Sequence, residues 1–135
     1  MMERLLGPYS PYLYTVLRIV VGFLFACHGA QKLFGLFGGF GPTGGTAPLF
    51  SLMGLAGLIE FFVGLLIILG WLTGTVAFIA SGQMASAYFM AHHPRGFWPI
   101  LNEGEPAVLF CFIFLYMASR GSGIWSIDSL RSKAR

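Results

Sequence analysis

Charge is the first thing this sequence lacks. Asp, Glu, Lys and Arg make up only 10% of its 135 residues, against about 25% in a soluble domain. Acidic residues are scarcest, five in all. With 56% hydrophobic residues and a mean hydropathy of +0.77, the chain reads as one integral membrane domain, 1–135. Cysteine is nearly absent. Cys27 and Cys111 both lie in apolar runs and no CxxC occurs, which argues against a disulfide framework or a cysteine-ligated cluster. The formal charge of +3 sits at the flanks of the apolar runs, so there is no nucleic-acid footprint. The ~10-residue alternating segments of a membrane barrel are also missing.

What is present is four continuous apolar runs, at 12–36, 49–72, 75–91 and 106–119. A spanning helix takes about 20 mostly apolar residues. The pattern therefore predicts an all-α, integral membrane four-helix bundle. The first run is longer than the core of a cleavable signal and no small-residue cleavage site follows it, so it is read as a retained span. Four spans bring both termini to one side. Arg4, Arg120, Arg131, Lys133 and Arg135 fall there, against Lys32 and Arg95 opposite. The excess of basic residues places the termini in the cytoplasm, with the chain multi-pass in a bacterial inner membrane. The loops GGFGPTGGTAP and HHPRGFWPILNEGE then face outward, and the tail SIDSLRSKAR lies at the membrane surface.

A few polar residues interrupt the runs. In the first, Arg18, His28 and Lys32 fall on one side, with Gly22 and Gly29 beside them. Lipid would not accept such a stripe, so it points into the bundle or a wet cavity. Glu60 is the matching acid in the second run, among Gly54, Gly57 and Gly64. Counting helix rise puts it between Arg18 and His28 in depth, and an Arg18–Glu60 buried pair is the expectation, either as a register-fixing ion pair or as part of a proton or cofactor site. The third run carries Gln83 and ends in Tyr88, His92 and His93. The fourth begins after Glu103 and Glu105, with Glu105, Leu109, Phe112 and Tyr116 along one side. Tyr88 and Trp98 read as an aromatic belt, and Arg95, His93 and Glu103 as a solvated rim.

His28, Lys32, Glu105 and His92 form the candidate site for a quinone or a proton. His28 can donate to a carbonyl and exchange protons near neutral pH, Lys32 or Arg18 can stabilise a developing anion, and Glu60 can relay a proton. No intrinsic cofactor is expected. Two histidines with no further motif are poor support for haem, and zinc ligands are too few, so no metal is assigned.

The motifs RIVVGFLFACHGAQKLFG, LIEFFVGLLIILG, HHPRGFWPILNEGEPAVLF and GSGIWSID, with the glycine-rich loop between the first two, resemble the DoxX family of small four-helix bacterial membrane proteins. The likeness runs from about Leu17 to Asp128. It carries Arg18, Gly22, His28, Gly29, Lys32, Glu60, Gly64, Asn102, Glu105, Trp125 and Asp128 as characteristic positions. Glu103 stands where many relatives have a small residue, so Glu105 ranks above it. The resemblance implies membrane redox work, one branch of the family supplying a subunit of a thiosulfate:quinone oxidoreductase. The expectation is a membrane subunit of a redox complex, quinone-facing or non-catalytic, with a larger membrane complex or a homo-oligomer as partner. The competing readings are a purely structural accessory subunit and a small transporter. Against the latter stand the lack of repeat symmetry and of broken helices.

Overall fold

In a computed structural model, which describes residues 1–134, the chain is helical. The regular elements are α1 (Met2–Leu6), α2 (Ser10–Phe34), α3 (Leu52–Leu69), α4 (Thr73–Ala87), α5 (Pro99–Asn102), α6 (Glu105–Arg120) and α7 (Ile127–Lys133). Among the described residues the only strand-like feature is an isolated bridge between Phe40 and Gly45. Two stretches are long and apolar enough to cross a membrane: Met2–Phe34 and Leu52–Leu69.

Local chemistry sets the helix ends. Pro11 opens α2, where its missing N–H costs nothing. Gly35, at φ 68°, closes it with its N–H on the Gln31 carbonyl. Ser51 caps α3 by accepting the Gly54 N–H at 3.1 Å. The same helix ends in a Schellman motif: Gly70 takes φ 67°, its N–H reaches the Ile67 carbonyl and the Trp71 N–H reaches that of Leu66. After Leu72 the chain re-enters helix at Thr73. α4 then loosens into a π-helical turn, Tyr88–His92, before Pro94 stops helical winding in a 3-10 turn, His93–Arg95.

The four longer helices pack as two antiparallel hairpins, α2 with α3 and α4 with α6. The first has touching backbones. A Cβ on Gly29 would lie 2.3 Å from the Phe61 nitrogen, and one on Gly64 would lie 2.6 Å from the Ala26 nitrogen. The glycine faces of both helices are therefore spent inside the hairpin. In the second hairpin, the Ser81 hydroxyl donates to the Cys111 carbonyl at 2.9 Å. Phe25, Ile67, Ala77, Ala80, Met84, Phe114 and Met117 fill the core between the hairpins, with Phe25 edge-on to Phe114 at 4.7 Å between centroids.

The tail is tied down. Tyr14 donates to the Gly121 carbonyl at 2.5 Å, Thr15 to that of Ile124 at 3.0 Å and Arg18 to that of Trp125 at 2.8 Å. Ser126, buried, caps α7 with a capping box. Arg135, counted above in the basic flank, lies outside the described residues.

Candidate functional site

The expected Arg18–Glu60 pair is not formed. α2 and α3 run antiparallel with Gly22 against Gly64 and Gly29 against Gly57. That register puts Arg18 level with the end of α3, where its guanidinium lies against Gly70: a Cβ there would be 1.7 Å from Nη1. Arg18 is fully buried, donates through Nη2 to the Trp125 carbonyl, and leaves Nε and Nη1 without partners among the described residues. Counting depth from the run ends could not find this register, because the glycine contacts fix it and not the helix lengths.

Glu60 is paired with Lys32 instead. Lys32 Nζ donates to Glu60 Oε2 at 2.5 Å, with side-chain exposures of 14% and 5%. Gly57 makes the approach possible, since a Cβ there would already sit 3.0 Å from the Lys32 Cβ. The second carboxylate oxygen is held by α4: Gln83 Nε2 donates to Glu60 Oε1 at 3.2 Å. Both acceptors near Nε2, Glu60 Oε1 and the Ala56 carbonyl at 3.4 Å, fix which way the amide faces. In the sequence Gln83 reads only as a polar residue within its run. Being the one amide in the middle of that run is the signal that could have flagged it as the partner of Glu60.

This pair borders a cavity of about 260 Å³ between the hairpins. α2 contributes Phe25, His28 and Lys32, α3 Ile59 and Glu60, and α4 with its π turn Gln83, Met84, Met90 and His92, while Phe110 of α6 closes a side. The lining is mostly apolar, with the polar groups gathered in one place. His28, an exposed residue, stands edge-on to Phe110 at 6.1 Å between ring centroids and makes no hydrogen bond among the described residues. His92 turns Nδ1 toward the Asn102 carbonyl at 3.0 Å and the Arg95 guanidinium at 3.2 Å. The π turn carries Met90 and His92 to the cavity wall; such turns often mark functional sites in helices.

Of the four residues expected to form the site, His28, Lys32 and His92 line one cavity. Glu105 does not. It is exposed in the first turn of α6, with Leu109, Phe112 and Tyr116 exposed on that helix. Pro106, Ala107 and Phe110 take the cavity side instead. Tyr88 is also misplaced as a belt residue. It is buried, and its hydroxyl donates to the Phe97 carbonyl. Asn102, fully buried, explains why: its Nδ2 donates to the Gly96 carbonyl at 2.6 Å and its Oδ1 accepts the Gly104 N–H at 2.8 Å, pinning the segment onto the π turn. Among the described residues no three of His, Cys, Asp and Glu converge as metal ligands.

At the other end of the molecule, Asp128 follows Ser126 and binds the start of α4. Partial burial alone would raise its pKa. The Ser122 hydroxyl and the Leu72 and Thr73 N–H groups, with Arg131 nearby, outweigh that and hold the carboxyl below the ordinary Asp range.

Two stretches long and apolar enough to cross a membrane are what a helical membrane protein requires. The sequence profile of the DoxX family matches residues 13–93, and an uncharacterized protein of Haemophilus influenzae is 40% identical over 127 residues, 92% of this chain and 94% of that protein. The chain belongs to the DoxX family. No solved structure matches it.

Proposed function

We propose that the cavity binds the head of a neutral, lipid-soluble carrier of the quinone class, and that the protein serves as a quinone-facing subunit of a membrane redox assembly. In this reading the chain crosses a bacterial inner membrane four times with its termini in the cytoplasm. The observation that carries the reading is the Lys32–Glu60 pair at 2.5 Å beside a largely apolar cavity of about 260 Å³. That volume falls just under the ~300–1,000 Å³ of sites that enclose a whole ligand. It suits a ring whose tail remains in lipid.

The ion pair neutralises itself, so the site favours a neutral guest. Lys32 keeps two N–H donors beyond its bond to Glu60, and these suit a carbonyl oxygen. His28, unpaired beside them, can exchange a proton with that oxygen. Electrons would come from a partner subunit.

The test is a titration of purified protein with a short-chain quinone, read by fluorescence quenching. Saturable binding that weakens about tenfold or more, roughly 1.4 kcal/mol, in Lys32→Met/Glu60→Leu and in His28→Ala supports the reading. Binding that is absent, or unchanged in both variants, removes it. The accessory-subunit reading keeps one supporting observation: Gly82 on α4 faces open space, one turn from exposed Ser86, a spacing that suits close approach of another helix.

A further inference from the structure

We propose that the two loops at the cavity end of the molecule, 35–51 and 96–102, lie in the bilayer's interfacial zone with their apolar side chains in the hydrocarbon beneath, so that the cavity exchanges its guest with lipid and not with outer water. The inference rests on membrane insertion of the helices, and not on the identity of the guest.

Two independent features point this way. The first is composition. The stretch 33–51 contains no Asp, Glu, Lys, Arg or His, and neither does 96–102. A loop in water has no reason to lack charge so completely. The nearest charges, the exposed Arg95–Glu103 pair at 3.0 Å, bracket the second loop and neutralise each other.

The second feature is exposure of large apolar side chains that the fold leaves uncovered. Phe50 is 103% exposed, Trp98 64%, Ile100 75% and Leu101 76%. Phe37 and Leu49 add to this surface. It continues the apolar flank of α3 through Leu52 and Leu55, both exposed. The helices are also short for a bilayer. The 16 residues of α6 extend about 24 Å and the 18 of α3 about 27 Å at 1.5 Å per residue, against a hydrocarbon core of about 30 Å. The loops supply the missing apolar height.

The loop backbones set how deep they can lie. Irregular chain is not exposed to the hydrocarbon core, and fewer than half of the N–H groups in 35–51 are paired within the protein, so the backbone itself stays at the interface, where water reaches it. In the first loop the Phe40 N–H reaches the Gly45 carbonyl and the Ala47 N–H reaches the Lys32 carbonyl, both at 2.7 Å, and the Ser51 hydroxyl donates to the Pro48 carbonyl at 2.6 Å. Gly39, at φ 73°, lets the chain fold so tightly that a Cβ would lie 1.9 Å from the Gly44 oxygen. In the second loop Asn102 and Tyr88 take up the Gly96 and Phe97 carbonyls, and the Trp98 carbonyl accepts from the Leu101 and Asn102 N–H groups.

The experiment uses the full chain reconstituted in vesicles whose acyl chains are brominated. One variant keeps Trp98 alone, through Trp71→Phe and Trp125→Phe. A second carries Phe50→Trp with all three native tryptophans changed to Phe. A third carries Phe62→Trp in that same background, reporting from an exposed position in the middle of α3. The proposal expects both loop probes to lose most of their emission to bromolipid and to resist aqueous iodide. Loop probes that iodide reaches and bromolipid does not, in one loop or both, overturn it while a quenched Phe62→Trp leaves the helices in the membrane. A Phe62→Trp that bromolipid cannot quench overturns this proposal and the membrane-spanning reading together.

Discussion

At the N-terminal end of α2, Tyr14, Thr15 and Arg18 direct their hydrogen bonds to main-chain carbonyls of the segment that follows α6. At its C-terminal end, Lys32 binds Glu60, which Gln83 also holds, at the border of a cavity, and His28 stands beside them with its hydrogen bonds free. One helix thus carries two kinds of polar cluster. Where side chains bind backbone, space is filled: Gly70 has no room even for a methyl group beside Arg18. Where side chains bind each other, space remains. A buried charge is therefore no guide to function by itself. The first cluster reads as a clasp for the tail, and the second has the properties of a site.

Removing Glu60 alone should have the largest effect. Glu60→Leu leaves Lys32 charged in an apolar cavity, and breaking a buried pair in this way costs about 3–5 kcal/mol. Unfolding in detergent should show most of that loss recovered in Lys32→Met/Glu60→Leu, since a matched apolar replacement of both partners is often neutral. Next comes Gly70→Ala, which drives a methyl group into the Arg18 guanidinium at a left-handed position. A loss of about 2–3 kcal/mol is expected from overpacking, while Gly82→Ala, facing open space, should stay within about 0.5 kcal/mol.

Arg18→Met should cost less than Glu60→Leu, about 1 kcal/mol. It gives up one hydrogen bond but also removes two buried nitrogens that have no partner among the described residues. A cost as large as that of Glu60→Leu would erase the contrast between the two ends. The smallest effect belongs to Asp128. Its folded pKa is depressed, so its contribution is present above the ordinary Asp range and disappears as the pH falls through the folded value. Wild type should exceed Asp128→Asn in stability near neutral pH, and the two unfolding curves should converge below the carboxylate range.

Helical architecture was legible in the sequence because apolar runs and glycine, serine and proline stops are local signals. The stripe of Arg18, His28 and Lys32 was legible for the same reason, since helical period alone puts these residues on one side. The partner of Glu60 was not. Which residue faces which across two helices depends on where backbones touch, here Gly22 with Gly64 and Gly29 with Gly57. Glu105 was misassigned for a related reason: its helix turns Ala107 and Phe110 to the cavity and Leu109 and Phe112 away from it. The inward turn of Tyr88 depends on Asn102, fourteen residues on, which no periodicity connects to it.

The most direct test of the central claim is photolabelling of the reconstituted protein with an azido-quinone, followed by mapping of the modified peptides. The account predicts label on residues that border the cavity, in 25–32, 53–60, 83–92 and 106–110, with competition by unlabelled quinone. Label that cannot be competed, or that falls on the outward faces around Phe78 and Phe112, would contradict it.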